Sequence, residues 1–141
     1  MEAARLRSEK RAKVIKSDRQ FDYSGSQCLK ALREDNVRSV LINPNIATIQ
    51  TDSRFADRVY ILPINAMYVQ KVIEKERPDS IMLSFGGQTA LNCGVSLEGE
   101  GILGKYGIRV LGTQIDSIRI TEDRKLFKEA MQKSDVPVLP S

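Results

Sequence analysis

Two glycines followed by polar side chains stand in the middle of the chain, where they could bind an anion. The stretch GGQTALN, residues 86–92, directly follows the apolar run of residues 81–85. A strand that ends in glycines before a helix start leaves backbone N–H groups free to face a phosphate or a carboxylate. The same two glycines could equally form a tight turn that needs positive φ. Spacing alone does not choose between these two interpretations.

A second polar segment follows another apolar run. The residues NPN, 43–45, come directly after residues 37–42 and open a loop, residues 43–52, whose Asn, Pro and Thr side chains are typical of an ordered surface loop. In an open α/β sheet, ligands bind in the crevice beyond the carboxyl ends of the strands. Both segments are therefore candidates for one site edge, which comprises Asn43, Asn45, Gly86, Gly87, Gln88, Thr89 and Asn92.

Apolar runs and segments of helical spacing alternate along the rest of the chain, which is the pattern of βαβ units around a parallel sheet. Strands are predicted at residues 37–42, 58–62, 81–85 and 108–111. Helices are predicted at residues 27–34, from a cap at Asn65 to a stop at Pro78, and at residues 89–97. The predicted fold class is α/β, with a three-layer open parallel sheet.

A last helix is predicted to begin at Thr121. This residue would be the cap, because Glu122 and Asp123 would then lie in the first turn, where carboxylates are favourable. The helical spacing of the apolar positions predicts an inner face formed by Leu126, Phe127, Ala130 and Met131.

The composition is that of one soluble globular domain. The chain has 141 residues, of which 41% are hydrophobic and 28% charged, and no apolar run approaches the roughly 18 residues of a membrane span. Its net charge of +4 comes from residues 1–20, which hold seven basic and three acidic side chains, whereas residues 21–141 hold 15 of each sign. A nucleic-acid site would depend on the basic segment alone, so none is expected.

A cytoplasmic location is expected. The arginine-rich start is weakly similar to a mitochondrial presequence, but Glu2 and Glu9 count against it. The two cysteines, Cys28 and Cys93, are far apart, no CxxC pair is present and the chain has no histidine. Neither a disulfide framework nor a metal site is predicted, and the thiols are expected to be half-buried in a reducing compartment.

Six segments of the sequence, taken together, resemble a single protein family. They are FDYSGSQCLKALRE at 21–34, NPNIATIQTD at 43–52, ADRVYILPI at 56–64, EKERPDSIMLSFGGQTALNCGV at 74–95, YGIRVLGT at 106–113 and TEDRKLF at 121–127. Over about residues 20–141, the chain resembles the domain that precedes the first ATP-grasp unit of the carbamoyl-phosphate synthase large subunit. The resemblance implies a divergent basic segment at 1–20, a pre-ATP-grasp, Rossmann-like domain at 21–135, and the start of a linker to an absent ATP-grasp domain at 136–141.

The resemblance also implies an activity. The family is an ATP-dependent ligase that makes carbamoyl phosphate from bicarbonate, ammonia and two ATP for pyrimidine or arginine biosynthesis, with ammonia from glutamine through a glutamine amidotransferase small subunit or domain. Its cofactors are ATP with Mg or Mn, and K. Their ligands lie mostly in the ATP-grasp domains, so this chain alone is expected to hold none of them and to be inactive. The implied partners are the remaining ATP-grasp domains of the large subunit and the amidotransferase.

One family residue carries over to this sequence. The arginine of the family's Glu-Asp-Arg motif binds nucleotide at the carboxyphosphate-forming site, and here that position is Arg124. A guanidinium suits the role, because its planar fork engages phosphate oxygens bidentately and stays charged at any working pH. Without the resemblance, Arg124 reads as a solvated helix residue that pairs with nearby acids. No catalytic residue and no metal ligand is predicted.

The start of the chain departs from the family pattern. The family has an apolar strand and a glycine-rich turn there, whereas residues 1–20 contain no glycine and many charges. The usual first strand is therefore missing or replaced. Residues 12–16 could form a short substitute strand, or residues 1–20 could be a tail; the tail is favoured, because Lys13 and Lys16 do not fit a buried central strand.

A second departure lies at residues 96–107. Gly99 and Gly101 fall where a helix continues in many relatives. Because each interior glycine costs roughly 1 kcal/mol relative to alanine, the helix is expected to end early or to fray.

Three other functions stay open. The chain could be a standalone binding or assembly module that docks on a separate ATP-grasp chain. It could be the N-terminal domain of another ATP-grasp enzyme, such as a biotin-dependent carboxylase, although the sequences of residues 21–27 and 86–92 argue against this. It could also be a nucleic-acid binder that uses residues 1–20.

Overall fold

Five strands and six α-helices lie along residues 11–15, 22–52, 54–134 and 136, the part of the chain that the computed structural model describes. The strands are β1 (Arg11–Ile15), β2 (Arg38–Ile42), β3 (Arg58–Tyr60), β4 (Ser80–Met82) and β5 (Arg109–Leu111). The helices are α1 (Asp22–Glu34), α2 (Ala66–Glu76), α3 (Gly87–Gly99), α4 (Ile102–Lys105), α5 (Ile115–Glu122) and α6 (Arg124–Lys133), with one 3₁₀ turn at Ile49–Thr51.

The strands form one parallel sheet in the order β3-β2-β1-β4-β5. The predicted tail is wrong for residues 11–15, because β1 is the central strand and pairs with β2 on one side and β4 on the other. Val14, for example, lies opposite both Leu41 and Met82. The backbone groups of two neighbouring strands need a partner between them, and that requirement outweighs the charged sequence of the strand. The alternative of a substitute strand at 12–16 is confirmed for residues 12–15; Lys16 and the position of the family's glycine-rich turn lie outside the described residues.

The larger core lies on one face of the sheet. Val40 and Ile42 of β2 and Ile81 of β4 point to this face and are buried against α2, α3 and α5. The helices contribute fully buried or nearly fully buried side chains at helical spacing, among them Val69, Val72, Ile73, Ala90, Cys93, Leu97, Ile115 and Ile118.

A smaller core lies on the opposite face. Leu41 alternates with its neighbours in β2 and packs on Leu29 of α1 and on Ala56, with Phe55, Val59 and Met82 at the edge. Helices therefore cover both faces, and the predicted three-layer α/β architecture is confirmed.

Most predicted elements are present with shifted ends. The strands predicted at 58–62 and 81–85 are shorter, and α1 begins at Asp22 rather than at residue 27. The cap at Asn65 is confirmed: its side-chain oxygen accepts a hydrogen bond from the Tyr68 N–H at 3.0 Å. No helix of the described residues is long and apolar enough to cross a bilayer.

The glycines near residue 100 interrupt the helical segment, as expected. Helix α3 ends at Gly99, and Gly101 adopts φ +70°, a left-handed conformation that glycine adopts without steric cost. A separate short helix, α4, follows. The early end is thus confirmed, and fraying of this region stays a prediction.

The predicted start of the last helix is wrong. Thr121 lies in the final turn of α5, an unpredicted helix, and its hydroxyl donates to the carbonyls of Ser117 at 2.9 Å and Ile118 at 3.0 Å. Asp123 is the cap of α6: its Oδ1 accepts the N–H groups of Lys125 at 2.8 Å and Leu126 at 3.1 Å. The Thr121 hydroxyl thus bonds carbonyls within α5, whereas Asp123, predicted to lie in the first turn, accepts the free N–H groups at the start of α6.

The predicted inner face of α6 is also wrong. No side chain of α6 is buried; Leu126 is 42% exposed and Phe127 39%, while Ala130 and Met131 are half-buried. The helical spacing is correct, but the core of the described residues does not cover these side chains.

Candidate functional site

The carboxyl ends of β2, β4 and β5 lie along one edge of the sheet, as the parallel arrangement requires. Asn43 follows β2, residues 83–86 follow β4, and Gly112 and Thr113 follow β5. The hydroxyls of Ser84 and Thr113 lie 3.4 Å apart, so the loops after β4 and β5 touch. The order of the strands reverses between β1 and β4, which is where doubly wound sheets open a crevice.

The two asparagines of the loop after β2 shape that loop. Asn43 is 2% exposed, and its Oδ1 accepts the N–H of Asn45 at 2.9 Å, while its own N–H donates to the Tyr60 carbonyl at 3.0 Å. The Oδ1 of Asn45 accepts the N–H of Ala47 at 3.0 Å. Both side-chain oxygens therefore support Asx-type turns within the same loop.

The glycine pair forms a tight strand-to-helix turn. Gly86 is buried and its N–H donates to the Leu83 carbonyl at 3.1 Å. Gly87 follows with φ +60°, where a side chain would be strained. These contacts support the interpretation of Gly86 and Gly87 as a tight turn. Thr89, two residues further on, is exposed at the start of α3.

Gln88 joins the glycine turn to the far end of the chain. Its Nε2 donates to Asn92 Oδ1 at 3.0 Å and also to the Glu122 carboxylate. Glu122 is the last residue of α5, 34 positions along the chain. The structure thus brings Gln88 and Asn92 together with the segment Glu122-Asp123-Arg124, which we call the EDR corner.

A cleft of about 530 Å³ lies between α3 and the junction of α5 with α6. Its walls are apolar at Val95 and Leu126 and polar elsewhere, with Asn92, Ser96, Arg119, Glu122 and Asp123. Arg119 and Glu122 were not among the candidates, because α5 itself was not predicted. The spacing of Ile115 and Ile118, three residues apart and both buried, is the signal that could have revealed this helix.

Arg124 is the first residue of α6 and is exposed. Within the described residues, its guanidinium has no ion pair or hydrogen bond with another side chain. A cation at a helix N-terminus is locally unfavourable, because the macrodipole places partial positive charge there. The side-chain charges of Glu122, Asp123, Arg124 and Lys125 balance, and Asp123 caps the helix, so the feature that suits a phosphate oxygen is the exposed Arg124 guanidinium itself.

The thiols are poor nucleophiles. Burial raises the pKa of Cys93 to about 11, with a smaller contribution from the negative charge of Glu100, and burial also raises the pKa of the Cys28 thiol above its ordinary value. Both cysteines are free; Cys28 is half-buried, as expected, and Cys93 is buried. In the part of the chain that the structure describes, no three His, Cys, Asp or Glu side chains are grouped to hold a metal ion.

Comparison with known proteins identifies the domain. The family model described as "Carbamoyl phosphate synthase preATP-grasp domain" matches residues 11–120, which includes β1 and ends before Arg124. The chain is 62% identical over 122 residues to the Multifunctional protein CAD of Squalus acanthias, and 57% identical over 122 residues to the Carbamoyl phosphate synthase large chain of Pyrococcus furiosus. Each alignment covers 86% of this chain but only 5% and 12% of those proteins.

Solved structures share the fold at low identity. The biotin carboxylase domain of Hydrogenobacter thermophilus 2-oxoglutarate carboxylase, in complex with MgADP, ADP and bicarbonate, superposes with a TM-score of 0.64 at 19% identity, over 91% of this chain and 28% of that one. The K. lactis urea amidolyase superposes with a TM-score of 0.66 at 14% identity, over 99% of this chain and 8% of that one. These likenesses show the fold alone, whereas the family match covers most of the chain. The chain belongs to the carbamoyl phosphate synthase preATP-grasp domain family.

Proposed function

We propose that the chain serves as the N-terminal domain of a carbamoyl-phosphate synthase large subunit, where it helps to build the first ATP site and makes no product alone. The observation that carries the proposal is the 57% to 62% identity to a carbamoyl phosphate synthase large chain and to CAD, together with the family match over residues 11–120. Since the chain spans only 5% to 12% of those proteins, the activity belongs to a longer assembly.

The proposed reaction has three steps. The first ATP phosphorylates bicarbonate to carboxyphosphate, ammonia displaces phosphate to give carbamate, and the second ATP phosphorylates carbamate. Mg or Mn, with K, would supply charge neutralisation at the phosphates; the relevance of Mg is supported by the structural neighbour that holds MgADP and bicarbonate. The described acidic residues form no group suited to a metal, so we assign the metal ligands to the ATP-grasp domains.

The role of this chain at the first ATP site would fall to Arg124. Its guanidinium is exposed at the N-terminus of α6, and no described acid neutralises it. It would bind phosphate oxygens bidentately, while the N-terminal end of α6 adds favourable partial charge. Gly86 and Gly87 would shape the neighbouring edge, and Gln88 and Asn92 would face the same corner.

The proposed partners are the ATP-grasp domains of the same large subunit and a glutamine amidotransferase subunit or domain that supplies ammonia. The exposure of Leu126 and Phe127 supports a covering partner, because burial of apolar surface is favourable by about 25 cal/mol per Å². We also propose a cytoplasmic location, with a mitochondrial one as the alternative, and a role in pyrimidine or arginine biosynthesis.

A chimera tests the proposal. Residues 11–134 of this chain would replace the matching region of the Pyrococcus furiosus large chain, and the product would be assayed with ATP, bicarbonate and ammonia. We expect bicarbonate-dependent ATPase activity and carbamoyl phosphate from the chimera, and neither from the 141-residue chain. Turnover by the isolated chain, or a folded chimera without either activity, would contradict the proposal.

A second candidate function is a separate assembly module that docks on an ATP-grasp chain in trans. The uncovered face of α6 favours it as well, since the partner of that face need not be covalently attached. Adding the 141-residue chain to a P. furiosus large chain that lacks the matching region distinguishes the two. Activity restored at micromolar concentration supports the module, and activity only in the chimera supports a covalent domain.

A further inference from the structure

We infer that Gln88 is a positioning residue, which acts through Glu122 to hold Arg124 where a nucleotide phosphate can meet it. This inference rests on the proposed function and adds to it a named element of the same site. Gln88 does not reach the phosphate itself. Its side chain instead ties the glycine turn after β4 to the EDR corner.

The amide of Gln88 uses both of its donor hydrogens. One bond runs within α3 to Asn92 Oδ1 at 3.0 Å, and the other crosses to the Glu122 carboxylate. The first bond fixes the orientation of the amide, so the second N–H points at α5. A carboxylate accepts from an amide more strongly than a neutral oxygen does, because the bond is assisted by charge. A glutamate at position 88 would have the same shape but no hydrogen to donate.

The C-terminal end of α5 has few other contacts that could hold it in place. The helix is anchored in the core by Ile115 and Ile118, which lie in its first half, whereas Thr121 and Glu122 are exposed. Helix α6 adds only a weak anchor, because none of its side chains is fully buried and only Ala130 and Met131 among its predicted inner face are half-buried. The contact with Gln88 therefore secures the point from which α6 departs.

Only one residue separates that point from Arg124. Asp123 has φ −95° and ψ 113°, its N–H donates to the Arg119 carbonyl at 3.2 Å, and its carboxylate caps α6. These bonds connect the end of α5 to the start of α6, so we expect a shift of Glu122 to be passed on to the first turn of α6. The position of Arg124 thus follows the position of Glu122.

The hydrogen bond between Gln88 and Glu122 also affects the charge near Arg124. Glu122 lies two residues from Arg124, and Arg119 lines the same cleft. A Glu122 carboxylate held by Gln88 is oriented toward α3. If it were released, it could turn toward Arg124 and neutralise the guanidinium that the phosphate requires.

The experiment uses a charge swap in the chimera defined above, with the KM for ATP in the bicarbonate-dependent ATPase reaction as its readout. Gln88→Glu removes the donor and sets two carboxylates against each other. Gln88→Glu combined with Glu122→Gln restores one donor and one acceptor in reverse order. The matched control is Gln70→Glu, because Gln70 also donates to a residue four positions along, Glu74, at 3.0 Å, but this bond stays within α2 and does not involve α5.

We expect Gln88→Glu to raise the KM for ATP about fivefold, the size expected for the loss of one ordinary hydrogen bond, with most of the change in KM rather than in kcat. The swapped pair should return KM to within about twofold of the parent, and Gln70→Glu should leave it unchanged. Amide exchange of the 141-residue chain should show faster exchange at Lys125 and Leu126 in Gln88→Glu, and recovery in the swapped pair.

Three results would overturn the inference. Equal KM values for Gln88→Glu and Gln70→Glu would do so, as would a folded swapped pair that does not recover. If Gln88→Glu does not fold in the chimera, unchanged exchange at Lys125 and Leu126 in Gln88→Ala of the isolated chain would count in the same way. Arg124→Ala, measured in parallel, separates the positioning role from the nucleotide contact: if it raises KM and Gln88→Glu does not, only the positioning role of Gln88 fails, and if it leaves KM unchanged, the nucleotide contact of Arg124 fails as well. The proposed function itself fails only if the folded parent chimera has no activity.

Discussion

Helices α2 and α6 share an Asx cap and an amphipathic pattern but differ in their surroundings. Both begin at an Asx cap, Asn65 in α2 and Asp123 in α6, whose side-chain oxygen accepts backbone N–H groups of the first turn. Both place apolar residues at helical spacing. In α2 these residues, Val69, Val72 and Ile73, are buried in the larger core, whereas in α6 Leu126 and Phe127 are about two-fifths exposed.

The difference shows what an amphipathic pattern does and does not establish. The spacing of apolar residues indicates that one face of a helix requires cover. It does not indicate whether the cover lies in the same domain, since both helices have an apolar face and only that of α2 is covered by the core. Helix α2 helps to hold this domain together, and α6 presents an arginine and an apolar face at its boundary.

The largest expected effect comes from truncating one apolar side chain on each helix. Ile73 is fully buried, so Ile73→Ala should lower the free energy of unfolding by about 2–5 kcal/mol. Phe127→Ala should lower it by less than about 1 kcal/mol, because the ring is already partly in water. Urea unfolding of the 141-residue chain measures both. Similar losses would mean that α6 is covered in solution.

A smaller effect is expected from adding a methyl group to two glycines of α3, one packed against the sheet and one open. A Cβ at Gly94 would lie 2.2 Å from Leu83 Cδ1, and Leu83 is fully buried, so Gly94→Ala should destabilise the domain by about 1–3 kcal/mol. No atom lies within 4 Å of a Cβ at Gly99. Gly99→Ala should therefore be neutral or stabilise by up to about 1 kcal/mol. A stabilising Gly94→Ala in thermal unfolding would contradict this packing.

Removing the cap side chain should affect the free energy of unfolding differently in α2 and in α6. Asn65→Ala should lower the free energy of unfolding by about 1 kcal/mol, because α2 unfolds only with the core. Asp123→Ala should change the urea midpoint little and instead speed amide exchange across residues 124–133, because α6 can open locally. Equal shifts of the urea midpoint in the two variants would show that α6 is as firmly part of the domain as α2.

The smallest expected effect is a pH dependence of the free energy of unfolding, caused by the buried Cys93 thiol of α3. Burial raises the pKa of Cys93 to about 11, above its ordinary value of 9.0, so the unfolded chain loses this proton first as pH rises. The contribution of this thiol to the free energy of unfolding should therefore be fully present below about pH 8 and be lost as pH rises toward 11. The loss should be a few tenths of a kcal/mol at pH 9. Cys93→Ala, with Cys28 retained, should flatten this slope between pH 7 and pH 9. An unchanged slope would assign it to another group.

Much of the fold could be predicted from the sequence. The strands rich in branched apolar residues, the Asn65 cap and the glycine break near residue 100 are local features, and local chemistry decides them. The central strand β1 could not be predicted with the same rules. Its sequence is charged, and it is placed by the backbone hydrogen bonds that β2 and β4 require between them.

The candidate site was predicted only in part. The GGQTALN turn and Arg124 were both singled out, but nothing in the sequence shows that they are neighbours. Their link runs through Glu122, at the end of a helix of eight residues whose polar positions obscure its two buried isoleucines. Contacts between distant segments depend on the packing of such short elements, which periodicity alone identifies poorly.

The most direct test of the proposed role is a comparison of the two partial reactions in the chimera with Arg124→Ala. Lys125→Ala is the matched control, because it removes the same charge from the same helix end at a position turned about 100° away. We expect Arg124→Ala to weaken the bicarbonate-dependent ATPase reaction at least about tenfold, to leave ATP synthesis from carbamoyl phosphate and ADP within about twofold, and to exceed Lys125→Ala in the first reaction. Equal effects on both reactions would contradict a nucleotide contact at the first site and would make Arg124 a structural residue.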